Sequence, residues 1–158
     1  MTGRSSEGRK NRERAAARRA GQRGAAAVEF ALVLPLFALL VMGAIDYGYF
    51  FFSQQIVTNA AREAARAGTL IDPGGQPPAS AAQSTAVATA ASAARDYLAN
   101  NGLACPASQG GCVTAAYTTS GGLPAIDVQI RYSAQSLTGF GGILLPAHVS
   151  ARAVMRWQ

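Results

Sequence analysis

Residues 24–45 read GAAAVEFALVLPLFALLVMGAI, and the reading of this stretch decides the fold. It is an apolar run holding one charge, Glu29, and none from Phe30 to Ile45. With Ala25 to Val28 included, about 20 residues at a rise of ~1.5 Å cover roughly 30 Å, the hydrocarbon thickness of a bilayer. Asp46 closes the run. Tyr47, Tyr49 and Phe50 to Phe52 follow as an aromatic band suited to a membrane–water interface. Pro35 lies inside the span, where it removes one backbone hydrogen bond and is expected to kink or loosen the helix. In a membrane, neighbouring helices or local geometry satisfy the freed carbonyl.

The charge distribution supports a span. The formal net charge is +6, and residues 1–24 account for all of it, with eight basic residues against Glu7 and Glu13. From Ala25 onward, six arginines balance six acids. The high isoelectric point therefore describes a leader rather than a nucleic-acid-binding surface. A basic segment abutting a span reads as its cytoplasmic flank, so the N-terminus is expected inside and the C-terminus outside. Two export signals compete with this reading. Arg18-Arg19 resembles a twin-arginine pair, but Ala20, Gly21, Gln22 and Arg23 do not continue with the apolar pattern that signal needs. A secretory signal peptide has a shorter apolar region and small residues at a cleavage site, which Gly43 to Asp46 match weakly.

Beyond the span the helix is expected to continue to about residue 67. Gln55, Asn59, Arg62, Glu63 and Arg66 recur at helical spacing as a polar stripe. Ile56, Val57, Ala60, Ala61, Ala64, Ala65 and Ala67 fill the other faces, and Gly68 is a candidate C-cap. Residues 71–78 (IDPGGQPP) break the chain. Residues 80–100 read as a second, alanine-rich helix with Ser80 as N-cap and Asn100-Asn101-Gly102 as its stop. Its apolar face is Val87, Ala90, Ala91, Ala94, Tyr97 and Leu98.

The last third reads as strands. Residues 113–119 are a first candidate, and Ser120-Gly121-Gly122-Leu123-Pro124 is a turn. Ile126, Val128, Ile130 and Tyr132 alternate with Asp127, Gln129 and Arg131. Val149, Ala151, Ala153, Met155 and Trp157 alternate along a final strand. The expected fold class is α+β: a long N-terminal transmembrane helix extending into a small extracytoplasmic domain, with a second helix and a short antiparallel sheet. The expected divisions are a basic leader over 1–24, a transmembrane helix over 25–46, its continuation over 47–70 and an extracytoplasmic domain over 71–158.

Candidate chemistry is sparse. Cys105 and Cys112 are expected to form a disulfide in an oxidising compartment, closing a short loop that contributes about 2 kcal/mol. A metal site would need further ligands, and His148 is the only histidine, so no metal and no cofactor is expected. The glycine pairs read as turns, and no convergent titratable set points to catalysis. Glu29 is the exception. A carboxylate held at the centre of a span costs on the order of 2.5 to 3.5 kcal/mol, and less near the interface, where it can snorkel. Were the chain cut after Gly24, a new α-amino group would appear at Ala25, with an ordinary pKa of about 8. That cation could neutralise Glu29 of its own helix or a neighbour's, and an intermolecular pair would fix helix register.

At these residues the sequence resembles type IV pilin-like signals, in which cleavage follows a leader glycine and a glutamate stands fifth in the mature helix. Gly24, Ala25 and Glu29 carry the match. The string GAAAVEFALVLPLF, with Ala61-Arg62-Glu63-Ala64-Ala65-Arg66-Ala67-Gly68 after it, resembles the TadE/TadG-like pseudopilins of the Tad (tight adherence, Flp pilus) system. The C-terminal strands resemble that family's terminal strands. Ala25 stands where ordinary type IV pilins usually have Phe, and residues 71–112 match no motif of the family.

The resemblance implies a pilin-like, non-enzymatic minor pilin of Flp-type fimbriae, sited in the bacterial inner membrane and cut by a prepilin peptidase between Gly24 and Ala25. Its implied partners are that peptidase, other Tad/Flp pilins, the inner-membrane assembly platform and membrane lipid, with no nucleic acid. Glu29, Phe30 and Pro35 are the implied assembly residues. An uncleaved signal-anchor carrying a binding or adhesin module is the alternative.

Overall fold

The computed structural model describes the backbone of residues 4–71, 78–105, 111–139 and 145–157, with side chains from Gly24 onward, Ala25 excepted. Residues 72–77 of the expected break over 71–78, and the glycines at Gly110, Gly141 and Gly142, lie outside the described residues. The elements are α1 (Arg4–Thr69), α2 (Ser80–Asn100), β1 (Val113–Ser120), β2 (Leu123–Ser133) and β3 (His148–Arg156). The fold class is α+β, as the sequence patterning predicts. Two compact units are present, Met1–Ala44 and Ile45–Gln158.

The described residues of the first unit are helix. The helix starts at Arg4, within the basic leader, because Arg, Ala, Lys and Glu are strong helix formers and no proline interrupts them. Helix α1 runs through Pro35. From Val28 to Met42 the large apolar side chains are exposed, with Leu32 at 74% and Leu36 at 69%. Among the described residues, nothing covers them.

The second unit contains the core. The polar stripe of Gln55, Asn59, Arg62, Glu63 and Arg66 is exposed, while Ile56, Val57, Ala60, Ala61, Ala64 and Ala65 are buried, as the helical spacing requires. Helix α2 contributes Ala86, Ala90, Ala94 and Leu98. Val87, Ala91 and Tyr97 flank them half-buried, so its buried face is rotated slightly from the one read in the sequence. The strands form an antiparallel meander in the order β1-β2-β3. Central β2 buries Ile126, Val128 and Ile130, the inward set of its alternation.

Gly121 and Gly122 join β1 to β2, with φ of 63° and 79°. Positive φ at both central residues is the geometry of a two-residue hairpin turn whose twist matches the strands. On the exposed face of the sheet, Arg152 Nε and Nη2 donate to the Asp127 carboxylate at 2.9 and 2.7 Å. At the chain end, buried Trp157 donates from Nε1 to the Ile71 carbonyl at 2.8 Å. Its backbone N–H donates to the Pro124 carbonyl at 3.0 Å, which continues the β2–β3 ladder past the last strand residue.

Two terminal signals act differently from their sequence reading. Gly68 lies inside α1 rather than capping it. A Cβ there would stand 3.1 Å from the Ala86 carbonyl, 3.1 Å from Ala90 Cβ and 3.2 Å from Ile126 Cγ2. Its small size lets α1, α2 and β2 meet. Ser80 is the first residue of α2, and Ala79 occupies the N-cap without a side-chain hydrogen bond. The stop at Gly102 does operate: its φ is 78°, and Leu103 N donates to the Leu98 carbonyl at 2.9 Å, as in a left-handed C-terminal cap.

Candidate functional site

The sequence directs attention to the start of the apolar run. Gly24 is a helical, exposed residue, and a Cβ added to it would meet nothing within 4 Å. Unlike Gly68, it has no packing reason among the described residues to be glycine, although glycine in a helix interior costs about 1 kcal/mol relative to alanine. Gly43 and Gly48 are equally open. What distinguishes Gly24 is its place between the basic leader and Ala25. Glu29, Phe30 and Pro35 are all exposed on the same helix. Glu29 stands among exposed apolar side chains, with Val28 at 62% and Phe30 at 65%. The arrangement offers a helix surface rather than a pocket.

Residues within 26–69 contain one window long and apolar enough to cross a membrane, and none of that window is buried by the chain. An apolar core helix of a water-soluble protein would be covered by its own fold. This surface instead needs lipid or other helices, which is the character of a single-pass membrane anchor.

Cys105 and Cys112 form a disulfide, with Cα atoms 5.8 Å apart. Cys112 is buried just before β1, and its carbonyl accepts from Arg131 N at 2.8 Å. The bridge thus fastens the segment after α2 to the sheet. His148 is exposed as the first residue of β3.

One site has no counterpart in the sequence reading. Asp46, expected only to end the span, is 1% exposed. Its Oδ1 accepts from Leu137 N at 2.8 Å and Thr138 N at 3.0 Å. Its Oδ2 accepts from Ser136 Oγ at 2.8 Å and Thr138 Oγ1 at 2.6 Å. Ser136 Oγ also accepts from Gly139 N at 2.8 Å, tightening the turn. Ala134 N donates to the Ala147 carbonyl at 3.0 Å, closing the base of the loop. Among the described residues, four donors meet this one buried carboxylate and form a charge-assisted network. The only local signal is Ser136-Leu137-Thr138-Gly139, a hydroxyl-rich turn far along the chain from its acceptor.

These features define a class: a candidate single-span membrane protein whose apolar helix leads into a small α+β unit. The family model described as TadE-like protein matches residues 24–66, from Gly24 through the apolar run to Arg66. This part of the chain is thus similar to TadE-like proteins, which supports an association with the Tad pilus. No curated protein matches the chain. No solved structure matches it either.

Proposed function

We propose that this chain is a minor pilin, or pseudopilin, that takes part in assembling Flp/Tad-type fimbriae used in adherence. In this reading the basic leader faces the cytoplasm, α1 crosses the bacterial inner membrane, and a prepilin peptidase cuts between Gly24 and Ala25. The observation that carries it is the extent of the TadE-like match, which starts at Gly24 and includes Ala25 and Glu29. Gly24 is helical in the uncut chain, so cleavage requires local unwinding. A residue without Cβ unwinds readily and admits close approach of a protease groove.

After the cut, the Ala25 amine is a cation four residues before Glu29. Pairing it with Glu29 of a neighbouring chain neutralises both charges in an apolar surrounding and sets the axial register of adjacent helices. Phe30 and the exposed residues from Leu32 to Leu40 supply the packing surface, with Pro35 shaping the helix. The role is structural, and the partners are the peptidase, other Tad/Flp pilins and the inner-membrane assembly platform.

The test is the N-terminus of the membrane form made with the peptidase present. Sequencing or intact mass should start it at Ala25; a form starting solely at Met1 or Thr2 would reject the proposal. Gly24→Ala should accumulate uncut precursor. Glu29→Ala should be cut yet assemble poorly, and normal fimbriae from it would reject the pairing. An uncleaved anchor carrying an adhesin module would retain function when residues 1–45 are exchanged for an unrelated anchor.

A further inference from the structure

The network at Asp46 removes a charge from one end of the second unit. Between Ile45 and Ala61, Asp46 is the only charged residue, and between Ser133 and Ala147 there is none. With Asp46 buried, the described parts of these two segments expose no charge. They do expose large apolar side chains: Tyr47 at 55%, Phe51 at 50%, Phe52 at 54% and Leu137 at 61%. Tyr47 and Phe51 pack edge to face with ring centroids 4.7 Å apart. Phe50, Ala134, Leu145 and Pro146, together with the polar Gln135 and Ser136, line an open recess.

The position of this rim along α1 bears on what covers it. Leu137 is tied through its backbone N–H to Asp46, the residue after the uncharged apolar run. Further along, Gln54 Nε2 donates to the Ser150 carbonyl at 3.2 Å, and Ser150 pairs with Arg131. Gln54 is about 12 Å beyond Asp46 at ~1.5 Å per residue. Each headgroup layer is roughly 5–7 Å thick. Leu137 is thus bonded to the first residue past the uncharged run, whereas Arg131 pairs with a strand residue that meets α1 about two turns further on.

We propose that this uncharged rim is a second membrane contact: the loop latched by Asp46 seats Leu137 among the lipid headgroups beside the aromatic band of α1. The inference rests on the reading of α1 as a membrane span. The recognition is apolar and interfacial, since the described rim has no cation to attract anionic lipid. The latch explains why a carboxylate can stand there. The hydrogen bonds from Ser136, Leu137 and Thr138 satisfy it, and they occupy the loop's own polar groups at the same time. Aromatic rings at this depth are favourable because one end is apolar and the other wet.

The experiment uses the full chain in vesicles of zwitterionic phosphatidylcholine, with an environment-sensitive fluorophore on a single introduced cysteine. The native cysteines stay bridged under non-reducing conditions. Leu36→Cys reports the span, Leu137→Cys the rim and Thr119→Cys the opposite end of the unit. The expected result at Leu137 is blue-shifted emission quenched by nitroxides placed near the headgroups, unchanged when anionic lipid is added. Leu36 should be quenched by nitroxides deep in the acyl chains, and Thr119 by neither.

A wet, unquenched label at Leu137 with a dry one at Leu36 would overturn the inference and leave the span standing. A wet label at Leu36 would overturn both. A dry label at Leu137 that lipid nitroxides do not reach would mean that protein covers the rim, and would overturn the lipid assignment. Adding Asp46→Asn to the Leu137→Cys chain should shift the label toward the Thr119 signal; unchanged quenching would remove Asp46 from its positioning role.

Discussion

Gly68→Ala is the sharpest test of how the second unit is packed. The added Cβ would meet Ala86 O, Ala90 Cβ and Ile126 Cγ2 at 3.1 to 3.2 Å, where ordinary contacts are 3.4 to 4 Å. Two of these neighbours are fixed by the backbone of α2, so α2 must shift by a few tenths of an ångström. Overpacking of this kind costs about 1–3 kcal/mol. Replacing glycine by alanine within a helix returns about 1 kcal/mol.

Gly48→Ala isolates the second effect, because Gly48 lies in the same helix and an added Cβ there would meet nothing within 4 Å. Helix propensity cancels in the comparison, leaving the overpacking alone, about 1–3 kcal/mol between the two variants. For a unit of this size each kcal/mol moves the midpoint by about 4 °C. Thermal unfolding of the full chain in one detergent, followed by circular dichroism, should place Gly68→Ala roughly 4–12 °C below Gly48→Ala. Equal midpoints, or a higher one for Gly68→Ala, would refute the close packing of α1 on α2 and β2.

Three further outcomes follow from the same structure. Asp46→Asn replaces a charged acceptor, and bonds to charged groups are worth about 1.5–3 kcal/mol, so hydrogen exchange at Leu137 and Thr138 should quicken by roughly tenfold to a hundredfold. Burial raises the Tyr132 phenol above its ordinary value of 10.0, with repulsion from Tyr49 adding to it. The unfolded chain then loses that proton before the folded one does, so stability is full below pH ~10 and falls as pH rises through the folded pKa; Tyr132→Phe should flatten this alkaline fall in midpoint. Replacing Cys105 and Cys112 together by serine should lower stability by about 2 kcal/mol, read from chemical denaturation under oxidising conditions, with no difference between wild type and variant once reductant is present.

Local periodicity makes most of the fold legible. The polar stripe from Gln55 to Arg66 is exposed, with Ile56, Val57 and the alanines buried behind it, because helical geometry fixes which residues share a face. Alternation over Ile126, Val128 and Ile130 fixes the inward face of β2 for the same kind of reason. Gly68 reads as a cap in the sequence because a glycine near a helix end fits both a cap and a close approach, and only the position of α2 separates the two. Ser80 stands one residue past the cap it suggests because a serine at a helix start satisfies either position.

The candidate processing residues, Gly24 and Ala25, and the candidate assembly residue Glu29 are legible in sequence alone, since a leader, a cut and a span are linear features read along the chain. The latch at Asp46 is not. Its donors at Ser136, Leu137 and Thr138 are brought to it by the path of β2 and the loop after it, and no local pattern encodes that distance. By itself the sequence determined the apolar run, its basic flank and the amphipathic helix beyond, because charge and helical period are properties of neighbours in the chain. Tertiary structure alone decided that Asp46 is buried and that Gly68 is a contact point, because both depend on which distant segments meet.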